Sequence, residues 1–201
     1  MPLIETPATL LILWAVIGYL LGSVPFGMVL TRTMGLGNLR EIGSGNIGAT
    51  NVLRTGSKTA AALTLLLDGA KGAVAVLLAR AMAGEDAAQL AALAAMIGHC
   101  YPVWLRFQGG KGVATFIGVI LALAWPAGLA VCLTWLVAAA ASRISSLAAL
   151  AAAAVSTMWL VMLGHGQALL LGVVLTLLIF WRHRANIARL RAGTEPKIGQ
   201  K

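Results

Sequence analysis

The stretch GVATFIGVILALAWPAGLAVCLTWLVAAAAS, from Gly112 to Ser142, runs 31 residues without a charge. As one helix it would be about 46 Å long at ~1.5 Å per residue, far beyond a hydrocarbon core of roughly 30 Å. Proline suits a turn better than a helix interior, so the run divides at Trp125-Pro126 into Gly112–Ala124 and Ala127–Ser142. A second long run, Ile144–Trp181, divides at Gly164-His165-Gly166 by the same reasoning.

Working outward from these cuts, seven apolar segments emerge: Thr6–Thr31, Thr59–Leu78, Ala87–Leu105, Gly112–Ala124, Ala127–Ser142, Ile144–Leu163 and Gln167–Trp181. The composition agrees. The chain is 60% hydrophobic and 10% charged, where soluble domains carry roughly 25% charged residues. The expected fold is an all-α integral membrane protein, a single polytopic domain over residues 1–201.

The formal charge of +9 does not indicate nucleic-acid binding, because no soluble stretch is long enough to form a binding module. The cations sit between and after the apolar runs, as the positive-inside rule requires. With seven transmembrane helices, the N-terminus outside and the C-terminus cytoplasmic, thirteen of the fifteen Lys and Arg residues fall on the inner side. Merging either divided pair would carry the basic tail outside. A cleaved leader is not expected, since the segment before the first span carries Glu5 and no cation. Cys100 and Cys132 lie in different apolar segments and read as packing residues. No long-period repeat is visible, which counts against a carrier built from inverted repeats.

Three polar islands interrupt this pattern, all on the expected cytoplasmic face. The first is Gly43-Ser-Gly-Asn-Ile-Gly-Ala-Thr-Asn51, closed by Arg54. Glycines reach backbone angles closed to other residues, and successive N–H groups can converge into an anion nest. Ser44, Asn46, Thr50 and Asn51 add neutral donors, and Arg40 and Arg54 add charge. A plain turn has no need of three glycines and four small amides or hydroxyls in so short a space.

The second island is His99-Cys-Tyr-Pro-Val-Trp-Leu-Arg-Phe-Gln-Gly-Gly-Lys-Gly112. Gly109 to Gly112 precede a helix, where free N–H groups and the helix dipole favour a phosphate. It is not a nucleotide-binding loop: Leu105 stands at the first glycine position, and no Ser or Thr directly follows Lys111. His99 reads equally as a histidine that staples the end of its helix. The third island is Trp181-Arg-His-Arg-Ala-Asn-Ile-Ala-Arg-Leu-Arg191. At helical spacing His183, Asn186, Ile187 and Leu190 share one face. A basic helix after a span usually holds anionic lipid headgroups; that explains its arginines but not His183 and Asn186. Asp68 and Lys71, at i and i+3 within the second span, are expected to pair, for structure or for function.

Together the islands offer donors and cations at a membrane boundary, suited to a phosphorylated soluble substrate meeting a lipophilic one. Too few acids, histidines and thiols occur there for an ordinary metal site. No histidine is followed five residues later by Asp, and no G-x-S-x-G elbow is present. The same features fit two further classes: a small membrane carrier of phosphate or a phospho-metabolite, and a non-catalytic module binding anionic lipid. A carrier would place its site near mid-membrane, and a lipid-binding tail would leave both Gly-rich loops unexplained.

GSGNIGATNVLR, DGAKG, GHCYPVWLRFQGGKGVAT and RHRANIARL, in this order, closely resemble the motifs of the bacterial acyl-phosphate–glycerol-3-phosphate acyltransferase family. The resemblance covers essentially the whole chain. It implies transfer of a fatty acyl group from acyl phosphate to the 1-hydroxyl of glycerol 3-phosphate, giving lysophosphatidate and phosphate in phospholipid synthesis at the bacterial cytoplasmic (inner) membrane. No cofactor and no metal are expected; the partners implied are glycerol 3-phosphate, fatty acyl phosphate and membrane lipids. The implied catalytic residues are Ser44, Lys111, His183 and Asn186. Gly43, Gly45, Asn46, Thr50, Asn51, Arg54 and Gly110 are the implied substrate-binding residues.

Overall fold

The computed structural model describes residues 2–199; Lys201, counted above among the cytoplasmic cations, lies outside them. Ten α-helices and three short 3-10 turns make up the regular structure of the described residues, with no strand among them. Each expected apolar segment is helical over most of its length.

The first expected span is broken. α1 (Ala8–Gly22) stops before Ser23-Val24-Pro25, and α2 (Phe26–Thr33) begins after it. Pro25 has no N–H to continue the ladder. The break leaves main-chain carbonyls free, and distant side chains take them: Trp104 Nε1 donates to Ser23 O at 2.8 Å and Lys71 Nζ donates to Val24 O at 2.7 Å.

α3 (Ala49–Val52) is a single turn at the end of the first polar island. α4 (Lys58–Ala83) is capped by Ser57, whose hydroxyl accepts from Ala60 N at 3.1 Å. α5 (Glu85–Cys100) ends earlier than the expected boundary at Leu105, because Pro102 and a 3-10 turn over Val103–Leu105 follow it. α6 (Val113–Leu123) and α7 (Trp125–Ser142) are separated at Ala124. The division of the long uncharged run is therefore correct in kind, but Trp125-Pro126 is not the turn. Pro126 sits in the first turn of α7, where a missing N–H costs nothing. α8 (Ser145–Met162) and α9 (Leu169–Arg182) flank the expected break at Gly164-His165-Gly166. α10 (Arg184–Arg191) then turns away from α9 by 62°.

Five helices, counting α1 and α2 together and α5 with its turn, are long and apolar enough to cross a membrane; the bent α9–α10 pair raises the number to six, and α6 is a shorter apolar helix. Small residues set how these helices approach. A Cβ on Gly118 of α6 would lie 2.1 Å from Gly69 O of α4, and one on Gly22 of α1 would lie 2.0 Å from Ala95 O of α5. Such faces let backbones touch where no hydrophobic force drives helices together. The core between them holds Trp14, Val76, Met96, Phe116, Ile120, Leu160, Leu175 and Ile179, while large apolar residues such as Leu129, Leu133 and Leu177 face outward. Apolar surface on both sides of the helices is what a lipid-solvated protein requires.

Candidate active site

All three islands meet at one end of the helices around a cavity of about 720 Å³. Ser44, Asn46, Thr50, Asn51 and Arg54 line it from the first, Lys111 from the second, and His183 and Asn186 from the third. Gly43, Gly45 and Gly110 do not line it.

Gly43 (φ +52) and Gly45 (φ +67) hold left-handed backbone, as a polar turn of this shape requires. Part of the loop's N–H capacity is spent within it. Ser44 N donates to Asn51 Oδ1 at 3.2 Å, and Gly45 N donates to Ile42 O at 2.9 Å. Gly43 instead makes room: a Cβ there would come within 2.2 Å of the Arg54 guanidinium. Asn51 is buried and fully used, its Nδ2 donating to Leu39 O at 3.0 Å and to Asn46 O at 2.8 Å. It staples the loop that presents Ser44, Asn46 and Arg54.

The Gly109-Gly110 pair is likewise committed to its own backbone. Gly109 N donates to Cys100 O at 3.1 Å and Gly110 N to His99 O at 3.0 Å. These N–H groups are committed to the end of α5, and the loop reaches the cavity through Lys111 and Gly112. Close packing explains the glycines: a Cβ on Gly110 would lie 2.2 Å from His99 Nε2 and one on Gly109 2.1 Å from His99 O. Burial pushes the Lys111 ammonium down to about 8; Glu195 opposes the shift, while Arg189, Arg182 and Arg54 add to it.

At the α9–α10 corner the His183 ring is buried and its Nδ1 donates to Ile179 O at 2.8 Å. Burial pushes its pKa down to about 4, so the ring is neutral and Nε2 is its acceptor. Asn186 donates through Nδ2 to the Glu195 carboxylate, and its Oδ1 is buried with no hydrogen-bond partner.

Glu195 was not singled out from the sequence, yet it lines the cavity beside Ser145, Ser146 and Arg189. It accepts from Ser146 Oγ at 2.7 Å and from Arg189 Nε at 2.6 Å. Burial works against its ionisation, but the hydrogen bonds from Ser146, Asn186 and Arg189 outweigh that and hold it below the usual range. One signal was present: Glu195 is the only acid after Asp86, embedded in a basic tail. Ser145 also reaches the first island, its hydroxyl 3.1 Å from Thr50 Oγ1.

Asp68 and Lys71 pair at 2.8 Å, as expected. Lys71 also lies 5.8 Å from the Phe26 ring centroid, so the pair ties α4 to the α1–α2 break. Asp68 and His99 line the cavity floor, with His99 Nδ1 3.8 Å from Asp68 Oδ1. Beyond this polar end the cavity continues along apolar side chains of α4, α6 and α7, including Leu65, Leu66, Ile117, Leu121, Trp135 and Leu136.

The cation-rich pocket thus opens into an apolar groove. The family model for glycerol-3-phosphate acyltransferase matches residues 12–193. A glycerol-3-phosphate acyltransferase of Ruegeria pomeroyi is 74% identical over 201 residues, covering 100% of this chain and 99% of the relative. One from Ruegeria sp. (strain TM1040) is 72% identical, covering 100% of both. The crystal structure of PlsY, an integral membrane glycerol 3-phosphate acyltransferase, in its glycerol 3-phosphate form, matches with a TM-score of 0.89 at 38% identity, over 94% of this chain and 96% of that one. The lysophosphatidic acid form of PlsY matches at 0.86 and 36% identity, over 94% and 95%. The chain belongs to the glycerol-3-phosphate acyltransferase family. It is an integral membrane acyltransferase, as its motifs and composition led us to expect.

Proposed function

We propose that this enzyme transfers a fatty acyl group from acyl phosphate to the 1-hydroxyl of glycerol 3-phosphate, releasing lysophosphatidate and inorganic phosphate. The observation that carries the reading is the continuity of one cavity from the Arg54–Lys111–His183–Asn186 end to the apolar groove along α4, α6 and α7. The polar end suits two phosphate-bearing headgroups, and the groove suits an acyl chain.

In this reaction the glycerol hydroxyl oxygen bonds to the acyl carbonyl carbon, and the bond from that carbon to the phosphate oxygen breaks. The hydroxyl proton ends on the phosphate or in solvent. Acyl phosphate is a mixed anhydride with a good leaving group, so positioning and stabilisation of developing negative charge supply most of the acceleration. Lys111 and Arg54 bind phosphate. Ser44 and Asn186 orient the reacting oxygens, and His183, neutral with Nε2 as acceptor, takes a hydrogen bond from substrate or the departing proton. Asn46 and Thr50 complete the headgroup site, while Gly43, Gly45, Asn51 and Gly110 shape the loops that present these groups.

All seven apolar segments cross the bilayer in this reading, with the N-terminus outside and the basic loops and tail in the cytoplasm. The bacterial inner membrane is then the site of action, where the soluble substrate is found. Purified protein in detergent, given glycerol 3-phosphate and palmitoyl phosphate without added metal or protein, is expected to form lysophosphatidate. No product under those conditions, with product from acyl-CoA instead, would overturn the choice of donor.

A further inference from the structure

Lys111 reaches the cavity from a loop that has little side-chain mass to hold it, since Gly109, Gly110 and Gly112 surround it. Its backbone is nevertheless gripped from two sides. On one, Gly109 and Gly110 give their N–H groups to the last carbonyls of α5. On the other, the final residue of α9 takes their carbonyls: Arg182 Nε donates to Gly110 O at 3.0 Å and Arg182 Nη2 donates to Gly109 O at 3.1 Å. The same guanidinium stacks on Tyr101, 4.9 Å from the ring centroid. Tyr101 is in turn fixed, because its carbonyl accepts from Tyr19 OH at 2.9 Å. Arg182 itself does not line the cavity.

We propose that Arg182 is a positioning residue that sets Lys111 in register with His183. The planar fork of a guanidinium fits two parallel acceptors and an aromatic face at once, which an ammonium cannot do. Arg182 immediately precedes His183 in the chain. The corner that aims the imidazole into the site thus also fixes the loop that aims the ammonium. The assignment rests on the reading of Lys111 as a phosphate ligand, and it gives the first arginine of the third island a task distinct from lipid binding.

The test uses purified full-length Arg182→Gln, Arg182→Lys, Lys111→Ala and the Arg182→Gln/Lys111→Ala double variant. Arg182→Gln is expected to raise KM for glycerol 3-phosphate about tenfold, the loss of roughly one charge-assisted contact, with a smaller change in kcat. Hydrogen exchange at the Gly109 and Gly110 amides is expected to accelerate while the other helices keep their protection. Arg182→Lys is expected to restore neither. In the Lys111→Ala background, Arg182→Gln should add less than about twofold, because coupled residues are not additive. Fully additive losses, or unchanged exchange at the two glycines, would overturn the proposal. General loss of protection in Arg182→Gln with normal loop geometry in Arg182→Lys would also overturn it. Wild-type KM in Lys111→Ala would instead remove the phosphate-ligand reading, and the exchange measurement would still decide whether Arg182 holds the loop.

Discussion

Asn186 and Glu195 stand nine residues apart and share one hydrogen bond that fixes the orientation of the amide. A carboxylate only accepts, so Nδ2 must face Glu195 and Oδ1 must face away. That leaves Oδ1 buried and unpartnered at the cavity wall, a costly state unless something fills it. In the proposed reaction, a substrate hydroxyl would be that donor. Replacing Glu195 with Ala removes the partner of Ser146, Asn186 and Arg189 together. Each charge-assisted bond is worth about 1.5–3 kcal/mol, so Glu195→Ala is expected to lower both turnover, by at least tenfold, and the melting temperature. Thermal unfolding and steady-state assay of the purified variant check this; an unchanged melting temperature with normal turnover would refute it.

Lys111→Ala and Arg54→Ala are each expected to reduce lysophosphatidate formation by at least tenfold, since a phosphate contact of about 1.5–3 kcal/mol is lost and ~1.4 kcal/mol is tenfold. Arg191 lies on an exposed side of α10 outside the cavity, and Arg191→Ala should change little. Equal losses in all three variants would point to bulk positive charge and away from a defined site.

The pH dependence should carry the signature of Lys111. Its ammonium is held down to about 8 by burial, so its charge is lost as pH rises through that value. kcat/KM for glycerol 3-phosphate, which reports the free enzyme, should therefore fall above about pH 8. Bound phosphate favours the charged form, so kcat should hold to higher pH. In Lys111→Arg the cation persists, and the break near pH 8 should vanish whatever the absolute rate. A profile unaltered by that substitution would assign the ionisation elsewhere.

His183→Ala and Asn186→Ala separate an active-site role from lipid anchoring. Both side chains are buried at the cavity and neither carries charge. Each variant is expected to lose turnover strongly in samples of matched melting temperature and monodispersity. Near-normal turnover in both would leave Lys111 and the Ser44 loop to carry the chemistry.

Topology is open to a direct chemical test. A single cysteine at Lys58, in a variant lacking Cys100 and Cys132, should resist an impermeant thiol reagent in intact cells and react after the cells are opened. Labelling from outside would reverse the orientation argued from the basic residues.

What was legible in the sequence was what lies close in sequence: helical segments fixed by run length, and islands whose donors cluster within a few residues. Ser44, Arg54, Lys111, His183 and Asn186 do converge on one cavity. Glu195 and Ser146 were missed because neither has a local pattern; they matter only once the tail returns across α8 and α10. The glycines were ambiguous for a related reason. A nest and a tightly packed loop ask for the same residue, and only the partners of Ser44 N, Gly45 N and Gly110 N tell them apart. Pro126 was read as a turn because the first turn of a helix tolerates proline as readily as a loop does.

The interruption at Ser23-Val24-Pro25 gives this protein an unusual relation between helix propensity and stability. Replacing Pro25 with Ala would let α1 run on into α2, and the carbonyls of Ser23 and Val24 would find partners within the helix. In lipid that looks like an improvement, since stranded carbonyls there are expensive. Yet those carbonyls are the seats of Trp104 and Lys71. A better first helix would evict both, freeing the α5 turn and leaving the Asp68–Lys71 pair to find another acceptor. The defect in one element is a joint for three, and mending it would take the joint apart.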